Sequence, residues 1–333
     1  MSFISRIPVF ILPLFAVACF EADQRVDPYP GDVVLIDHNI IDYFSYFDFE
    51  TGRTIRVHPT DAWQLAFESE SGGWHILVNS GDGWFIRNSQ ESQWENINGP
   101  ADNTEWEYDR QYDFPDSTAV GTWVDPAHTS NYSREVYYLG KDTGGEFGQQ
   151  KKVQFIHVDS SAYVFRYFDF DSGFTDTITI RKLDSVNFVF YDFHSKQQVN
   201  LEPASDTYDI IFCPYYDLAT RFGITIPYLV RGVLLNTKNT QAIMDSLSTY
   251  EQIDYESLEL YALTSQRDVI GYRWKEADVN TTGGTAEYRV FHNYIYIVHT
   301  AEGRYYKMRF LSFTYNGSSG YPQFEYRELL PTL

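Results

Sequence analysis

The residues of this sequence with most chemical capability are eight histidines, two cysteines and a cluster of aromatic side chains. None of them has a spacing typical of catalysis. The sequence lacks a Gly-x-Ser-x-Gly elbow, a His-Glu-x-x-His motif, a Cys-x-x-Cys pair and a phosphate-binding loop. No two histidines are four residues apart, as a metal site on one helix face would need. We therefore expect a binding protein and not an enzyme.

An aromatic cluster lies in and near the irregular stretch Ser89 to Asp116. Its members are Trp84, Trp94, Trp106, Tyr108 and Tyr112. Aromatic side chains on loops bind flat ligands such as sugars or porphyrins, and they also pack loops onto a core. Both interpretations are open from the sequence.

Two short acidic runs resemble the beginning of a calcium loop. Asp169-Phe170-Asp171-Ser172-Gly173 lacks the glycine at position six and the glutamate at position twelve of such a loop. Asp48-Phe49-Glu50-Thr51-Gly52 repeats the pattern. A recurring hairpin turn explains both runs, so we predict no metal site there.

The N-terminus has the pattern of an export signal. Arg6 precedes an apolar run from Ile7 to Ala18, which is too short to span a bilayer. Ala16-Val17-Ala18-Cys19 resembles a bacterial lipobox, although Ala16 stands where leucine is usual. We predict a signal peptide over 1–18, lipid on Cys19 and a polar tether over 19–31. Cleavage of an ordinary signal peptide nearby is the alternative.

The remaining composition limits the partners of the protein. Cys213 lies in an apolar run and is predicted to be a small buried side chain without a disulfide partner. The formal net charge of −21 repels nucleic acid and anionic lipid. We therefore expect no nucleic-acid partner, and membrane contact through the lipid anchor only.

An internal repeat organises the chain. Seven segments of the first half match seven in the second half in the same order; the first is Phe44–Gly52 with Phe188–Lys196. The others are Asp61–Phe67 with Asp206–Phe212, Ile76–Ser80 with Val233–Thr237, Val120–Trp123 with Ile270–Trp274, Val136–Leu139 with Ile295–Val298, Lys152–Phe155 with Lys307–Phe310, and Tyr163–Tyr167 with Tyr321–Tyr326. A duplication with a boundary near Asp184 is predicted.

Most matched segments alternate apolar and polar residues and are separated by turn residues, as antiparallel strands are. The fold class is therefore mostly β, with two tandem antiparallel domains over 32–183 and 184–333. One segment differs. Between Asn239 and Leu263, apolar residues recur every three or four positions, which predicts a short helix in the second domain, with Thr240 as its cap.

Both halves resemble the HmuY family, the haem-binding outer-membrane lipoproteins of Bacteroidetes. The opening is carried by Tyr46–Phe49, Asp61–Phe67 and Val78–Gly81. Gly121-Thr122-Trp123 is a second feature, and the close from Tyr294 to Tyr326 is the most specific. The resemblance implies an all-β fold that agrees with the strand patterns.

The resemblance also implies haem capture between two axial side chains. His128, five residues after Trp123, matches the position of one family ligand, whereas the second half has Asp278 there. The second ligand is expected in Ser89 to Asp116 or in its counterpart in the second half. Ser89 to Asp116 contains no His or Met, and the counterpart offers Met244. By this resemblance His128 is the candidate axial ligand, and Trp94, Trp106 and Tyr108 are candidates to line a porphyrin slot.

Two functions follow as expectations. The first is a haem or porphyrin carrier for haem acquisition, exported, lipid-anchored on the outer membrane and exposed at the cell surface, where a receptor would take over the cargo. The second is a surface binding or adhesion module that kept the fold without binding haem. Haem or another planar or small ligand is the expected partner.

Overall fold

The elements of the fold are almost all β-strands. The computed structural model describes residues 31–125, 127–221, 223–238, 240–278 and 287–331, so the predicted signal peptide, Cys19 and most of the tether lie outside the described residues. The strands are β1 (Asp32–Leu35), β2 (Tyr43–Asp48), β3 (Arg53–Pro59), β4 (Leu65–Glu68), β5 (Ile76–Val78), β6 (Trp84–Asn88), β7 (Val124–Asp125), β8 (His128–Tyr132), β9 (Val136–Asp142), β10 (Phe147–Val158), β11 (Ala162–Asp169), β12 (Thr175–Arg181), β13 (Phe188–Asp192), β14 (Gln197–Val199), β15 (Ile210–Arg221), β16 (Ile224–Leu235), β17 (Gln241–Asp245), β18 (Lys275–Asp278), β19 (Glu287–Val290), β20 (Ile295–His299), β21 (Tyr305–Tyr315) and β22 (Ser318–Glu328). The helical elements of the described chain are 3-10 turns at Thr60–Ala62, Ser80–Asp82, Trp94–Asn96, Tyr250–Gln252 and Glu256–Leu260. The strand pairings are antiparallel, which confirms the predicted mostly-β class.

Strand pairing divides these elements into two lobes. The first lobe, residues 60–201, holds the sheets β12-β11-β10-β9-β6 and β14-β13-β4-β5 and the hairpin β7-β8. The second lobe, residues 32–59 with 202–331, holds the sheets β1-β22-β21-β20-β17 and β16-β15-β2-β3 and the hairpin β18-β19. Each lobe has its own apolar core, one around Trp123 and the other around Trp274.

The N-terminal strands therefore belong to the second lobe. There β2 pairs with β15 and places Phe47 opposite Ile210, while β1 pairs with β22. The counterpart hairpin, β13-β14, stays with the first lobe, where β13 pairs with β4 and places Tyr191 opposite Leu65. In the repeat, Phe47 corresponds to Tyr191 and Ile210 to Leu65, so the two pairings have the same register. This equivalence supports the predicted duplication, because a slip of one residue would turn every side chain to the opposite face.

The predicted boundary near Asp184 is not where strand pairing divides the chain. It separates β13-β14 from β4, with which β13 pairs, whereas residues 32–59 pair with strands of the second half. By the repeat, each of the hairpins β2-β3 and β13-β14 could pair with either β4 or β15, because β4 and β15 correspond to each other. The folded chain decides between them: β2 pairs with β15, and β13 pairs with β4.

The helix predicted between Asn239 and Leu263 is wrong. Residues Gln241–Asp245 form the edge strand β17, which pairs with β20, and two 3-10 turns follow. Thr240 is buried before the strand, whereas the side chain of Leu247 is 96% exposed. The helical spacing arises because Tyr250 and Ile253 turn inward within short turns, each held through its carbonyl oxygen by Lys307 Nζ.

Close contact between the lobes requires a glycine. Gly81 of the first lobe lies against the backbone of Pro214 in β15, and a Cβ at Gly81 would collide with the carbonyl oxygen of Pro214. We expect Gly81→Ala to lower the free energy of unfolding by roughly 1–3 kcal/mol. Gly72→Ala is the control, because no atom lies within 4 Å of its Cβ position. Urea unfolding of both variants measures the difference, and equal midpoints would contradict the contact.

Candidate functional site

A small cavity of about 60 Å³ takes its lining from both four-stranded sheets. Its apolar lining comes largely from counterpart residues of the repeat, namely Phe44 with Phe188, Trp63 with Tyr208, and Leu77 with Leu234. Ligand pockets of proteins usually have about 300–1,000 Å³. This cavity has room for a few ordered waters, which need roughly 10–15 Å³ each, and not for a porphyrin.

Two buried asparagines position the walls of this cavity. Asn79 Nδ2 donates to the carbonyl oxygens of Thr60 at 2.7 Å and Trp63 at 2.8 Å. Its counterpart Asn236 Nδ2 donates to the carbonyl oxygens of Ser205 and Tyr208, both at 2.7 Å. Each amide thus fixes the segment that leads into β4 or β15, and the matched spacing in the sequence reflects this shared task.

Glu202 is the centre of a buried hydrogen-bond network beside the cavity. Its Oε1 accepts from Asn187 Nδ2 at 2.8 Å and from the hydroxyl of Tyr208, and its Oε2 accepts from the backbone N–H of Phe188 at 2.7 Å. Burial raises the pKa of Glu202 to about 7. Glu202 needs no cation, because protein N–H and O–H groups supply its donors.

A buried arginine adjoins the same cavity without a carboxylate partner. Arg267 is 8% exposed, and its Nη1 donates to Gln111 Oε1 at 2.9 Å. Its Nε has no hydrogen-bond partner, and in the described chain the buried Asp109 and Glu202 interact with its charge without an ion-pair contact. Asp109 instead accepts from the backbone N–H groups of Val78 and Ala119, and burial raises its pKa to about 7. Arg267 is therefore a desolvated cation with unused hydrogen-bonding capacity.

His128, the predicted axial ligand, lies in a strand and not on a loop. It begins β8, where its backbone pairs with Asp125 of β7, and the side chain itself is outside the described set. In the second lobe, the corresponding hairpin β18-β19 contains no histidine. Among the strands of the two corresponding hairpins, β7-β8 and β18-β19, His128 is therefore the one histidine.

Trp94 packs onto the outer face of β10 and β11. Its ring lies 4.3 Å from Lys152 Nζ and 4.3 Å from the guanidinium of Arg166. Lys152 Nζ donates to the carbonyl oxygens of Trp94 at 3.0 Å and Ile97 at 2.8 Å. Lys307 makes the same contacts with Tyr250 and Ile253 in the second lobe. Because both copies share it, this arrangement is structural.

Trp106 and Tyr108 are each engaged elsewhere. Trp106 stacks on Phe147 with ring centroids 4.2 Å apart, and its Nε1 donates to the carbonyl oxygen of Asp102 at 2.8 Å. Tyr108 is 5% exposed and lies 5.4 Å from the ring of Tyr216, across the contact between the lobes. No ring contact joins any two of Trp94, Trp106 and Tyr108, so the structure does not bring them together as one slot.

The other histidines have partners of their own. Burial lowers the pKa of His58 to about 4, and His75 Nδ1 lies 2.6 Å from Glu68 Oε2. His38 contacts Asp37, His157 contacts Tyr132, His194 contacts Asp192, His292 contacts the carbonyl oxygen of Phe310, and His299 stacks on Tyr305. The described residues contain no group of three or more His, Cys, Asp or Glu that could hold a metal ion. Met244, the second ligand considered for the second half, is 40% exposed on β17.

Cys213 is buried and unpaired, as the sequence predicted. Burial raises the pKa of its thiol to about 12, so it is unreactive at neutral pH. Within the described ranges, no helix is long and apolar enough to cross a membrane.

The fold defines a β-rich protein, and one part of the chain matches a family model. Residues 184–326 match the family model described as HmuY protein. That range begins just before β13 and ends in β22. It therefore coincides with the second half of the linear repeat, whereas the second lobe also includes residues 32–59 and excludes β13 and β14. This match to residues 184–326 agrees with the resemblance to the HmuY family seen in the sequence.

Solved structures similar to this chain have low identity. An apo HmuY analogue from Tannerella forsythia is 12% identical, with 90% of this chain and 96% of that chain covered and a TM-score of 0.24. Apo PinO from Porphyromonas gingivitis is 11% identical, with 90% of this chain and 98% of that chain covered and a TM-score of 0.24. No curated protein matches significantly. At such TM-scores the superpositions carry no argument, so the assignment rests on the family model.

Sequence reasoning missed the buried polar groups around the cavity. Asp109, Glu202 and Arg267 are far apart in the chain and belong to no motif. The sequence did offer a signal for a buried polar group at Asp209. Its counterpart in the repeat is Gln64, so both halves have a polar residue at this position, just before a strand.

Proposed function

We propose that this protein is an exported HmuY-type lipoprotein that binds haem or a related porphyrin for haem acquisition. The match of residues 184–326 to the HmuY family carries the proposal. The acidic surface, with a formal net charge of −21, argues against nucleic acid as a partner. The proposed location is the outer membrane, with the protein facing the cell surface and a receptor accepting the cargo.

Haem would be the transported ligand, and few side chains of this protein are available to hold it. A neutral imidazole at His128 supplies one axial nitrogen to haem iron. Trp94, Trp106 and Tyr108 contribute to a slot only by leaving the contacts that they make in this structure. The binding proposal therefore depends on His128, and with one axial imidazole we expect weaker binding than in a relative with two.

A haemin titration followed by absorption tests the proposal. We expect unaltered protein to shift the Soret band and His128→Ala to lose that shift. His38→Ala is the matched control, because His38 is a partly exposed histidine paired with Asp37. Identical titrations of both variants would remove His128 from the site. No binding by unaltered protein would favour the surface binding or adhesion module instead.

The anchor proposal depends on Cys19. Cells given a radioactive fatty acid should label unaltered protein and leave Cys19→Ala unlabelled. Cys213→Ala is the control, because the Cys213 thiol is 1% exposed and unavailable for acylation. Labelling of Cys19→Ala at the level of unaltered protein would contradict the lipobox.

A further inference from the structure

A larger cleft of about 620 Å³ lies beside the small cavity and shares Arg267 with it. The cleft is within the usual size range of ligand pockets, about 300–1,000 Å³. Both lobes contribute to it: Phe114, Pro115 and Phe188 come from the first, and Thr237, Ser265 and Arg267 from the second. The cleft thus combines an apolar wall with a polar wall that ends in a buried cation, and the carboxylates of Glu68, Glu70 and Asp184 also line it.

The rings around Arg267 define how a ligand can approach it. Its guanidinium carbon lies 4.4 Å from the ring centroid of Phe114 and 5.8 Å from that of Phe188. Of its N–H groups, Nη1 donates to Gln111 Oε1 and Nε has no hydrogen-bond partner. A guanidinium with an unpartnered N–H group suits an oxygen of a carboxylate.

The acidic groups nearby form no ion-pair contact with Arg267 in the described chain, although the buried Asp109 and Glu202 interact with its charge at longer range. Glu68, which also lines the cleft, is already paired with His75 and accepts from the backbone N–H of Trp74 at 3.0 Å. Asp109 and Glu202 are satisfied by other donors, as described above. A buried charge without a partner costs several kcal/mol, and an incoming anion would remove part of that cost.

We propose that the cleft binds a small carboxylate with an apolar or aromatic body. The carboxylate accepts hydrogen bonds from the Arg267 guanidinium, and the body lies along Phe114 and Phe188. Lys238, which is exposed at the cleft, adds long-range attraction only. This site uses neither His128 nor iron, so it goes beyond the proposed haem function.

Calorimetric titration of the full chain with 3-phenylpropionate and with 3-phenylpropionamide tests the site. Without a dedicated cation, a chain with a formal net charge of −21 favours the neutral amide. We expect the acid to bind about tenfold or more tightly than the amide, the range of one charge-assisted hydrogen bond. Equal affinities, or a preference for the amide, would overturn the proposal.

Variants locate the binding. Arg267→Gln should weaken binding of 3-phenylpropionate by about tenfold or more, whereas Lys238→Gln should change it by less than about threefold. Arg267→Lys keeps the buried charge if Arg267→Gln does not fold, and it should also weaken binding because lysine lacks the planar fork. Circular dichroism checks the fold of each variant. Unchanged acid binding in a folded Arg267 variant would refute the role of this residue, whatever the outcome of the haemin titration.

Discussion

A chain that begins at residue 60 is expected to keep the first lobe folded and to lose the second. Residues 32–59 contribute Ile36, Ile40, Phe47 and Phe49 to the core around Trp274, and each is at most 1% exposed. Burial of one such side chain is worth about 1.5–3 kcal/mol. Loss of all four therefore removes roughly 6–12 kcal/mol, which is comparable to the whole stability of a typical domain, about 5–15 kcal/mol.

Hydrogen exchange of residues 60–333 against residues 32–333 measures this effect. We expect protection to remain in β9, β10 and β11 and to disappear from β20, β21 and β22. A synthetic peptide of residues 32–59 should restore the lost protection, since β2 again finds its partner β15. The matched control peptide carries Phe47→Ser and Phe49→Ser and should not restore it. Protection of β20 to β22 without any peptide would show that the second lobe folds without the N-terminal strands.

Asp209→Asn is expected to stabilise the protein at alkaline pH and to leave it nearly unchanged at acidic pH. Asp209 is 1% exposed, and its Oδ2 accepts from the backbone N–H of Phe49 at 2.9 Å. Burial, followed by repulsion from Asp48 and other acids, raises its pKa from 3.8 to about 7. In the first lobe Gln64 does the same work, because its Oε1 accepts from the N–H of Phe193 at 2.6 Å. The repeat itself thus shows that a neutral amide fits this position.

The sign of the pH dependence follows from this raised pKa. Between pH 4 and 7 the folded state binds a proton at Asp209 that the unfolded chain releases, so stability is present below pH 4 and falls as pH rises through 7. Each tenfold change in proton affinity corresponds to about 1.4 kcal/mol, so the effect is on the order of 4 kcal/mol. Urea unfolding of unaltered protein and Asp209→Asn at pH 5 and pH 8 should show a difference that grows with pH.

The reciprocal variant Gln64→Glu is the control. It places a buried carboxyl in the first lobe, so it should lose stability between pH 5 and pH 8 where unaltered Gln64 does not titrate. A constant difference between Asp209→Asn and unaltered protein at both pH values would contradict a raised pKa for Asp209.

The mostly-β fold class and many of the strands could be predicted from the amino-acid sequence. Alternation of apolar and polar residues, as in Lys152–Phe155, and turn residues such as Thr51-Gly52 act over a few positions, so they remain visible without the fold. The burial of Cys213 followed from its apolar neighbours in the same way. The pattern between Asn239 and Leu263 was misleading, because turns that point Tyr250 and Ile253 inward mimic helical spacing.

The tertiary structure alone decided which copy each hairpin joins and what surrounds the cavity. Phe47 can face Leu65 or Ile210 in the same register, so local patterns are equal for both and only packing of the whole chain distinguishes them. Arg267, Glu202 and Asp109 lie in segments between strands and come together only when the chain is folded, and no spacing in the sequence encodes that proximity. The sequence by itself thus determined the repeated unit and its strands, since these depend on neighbouring residues. The exchange of N-terminal strands and the buried cation at Arg267 depend on contacts between distant residues, which exist only in the folded chain.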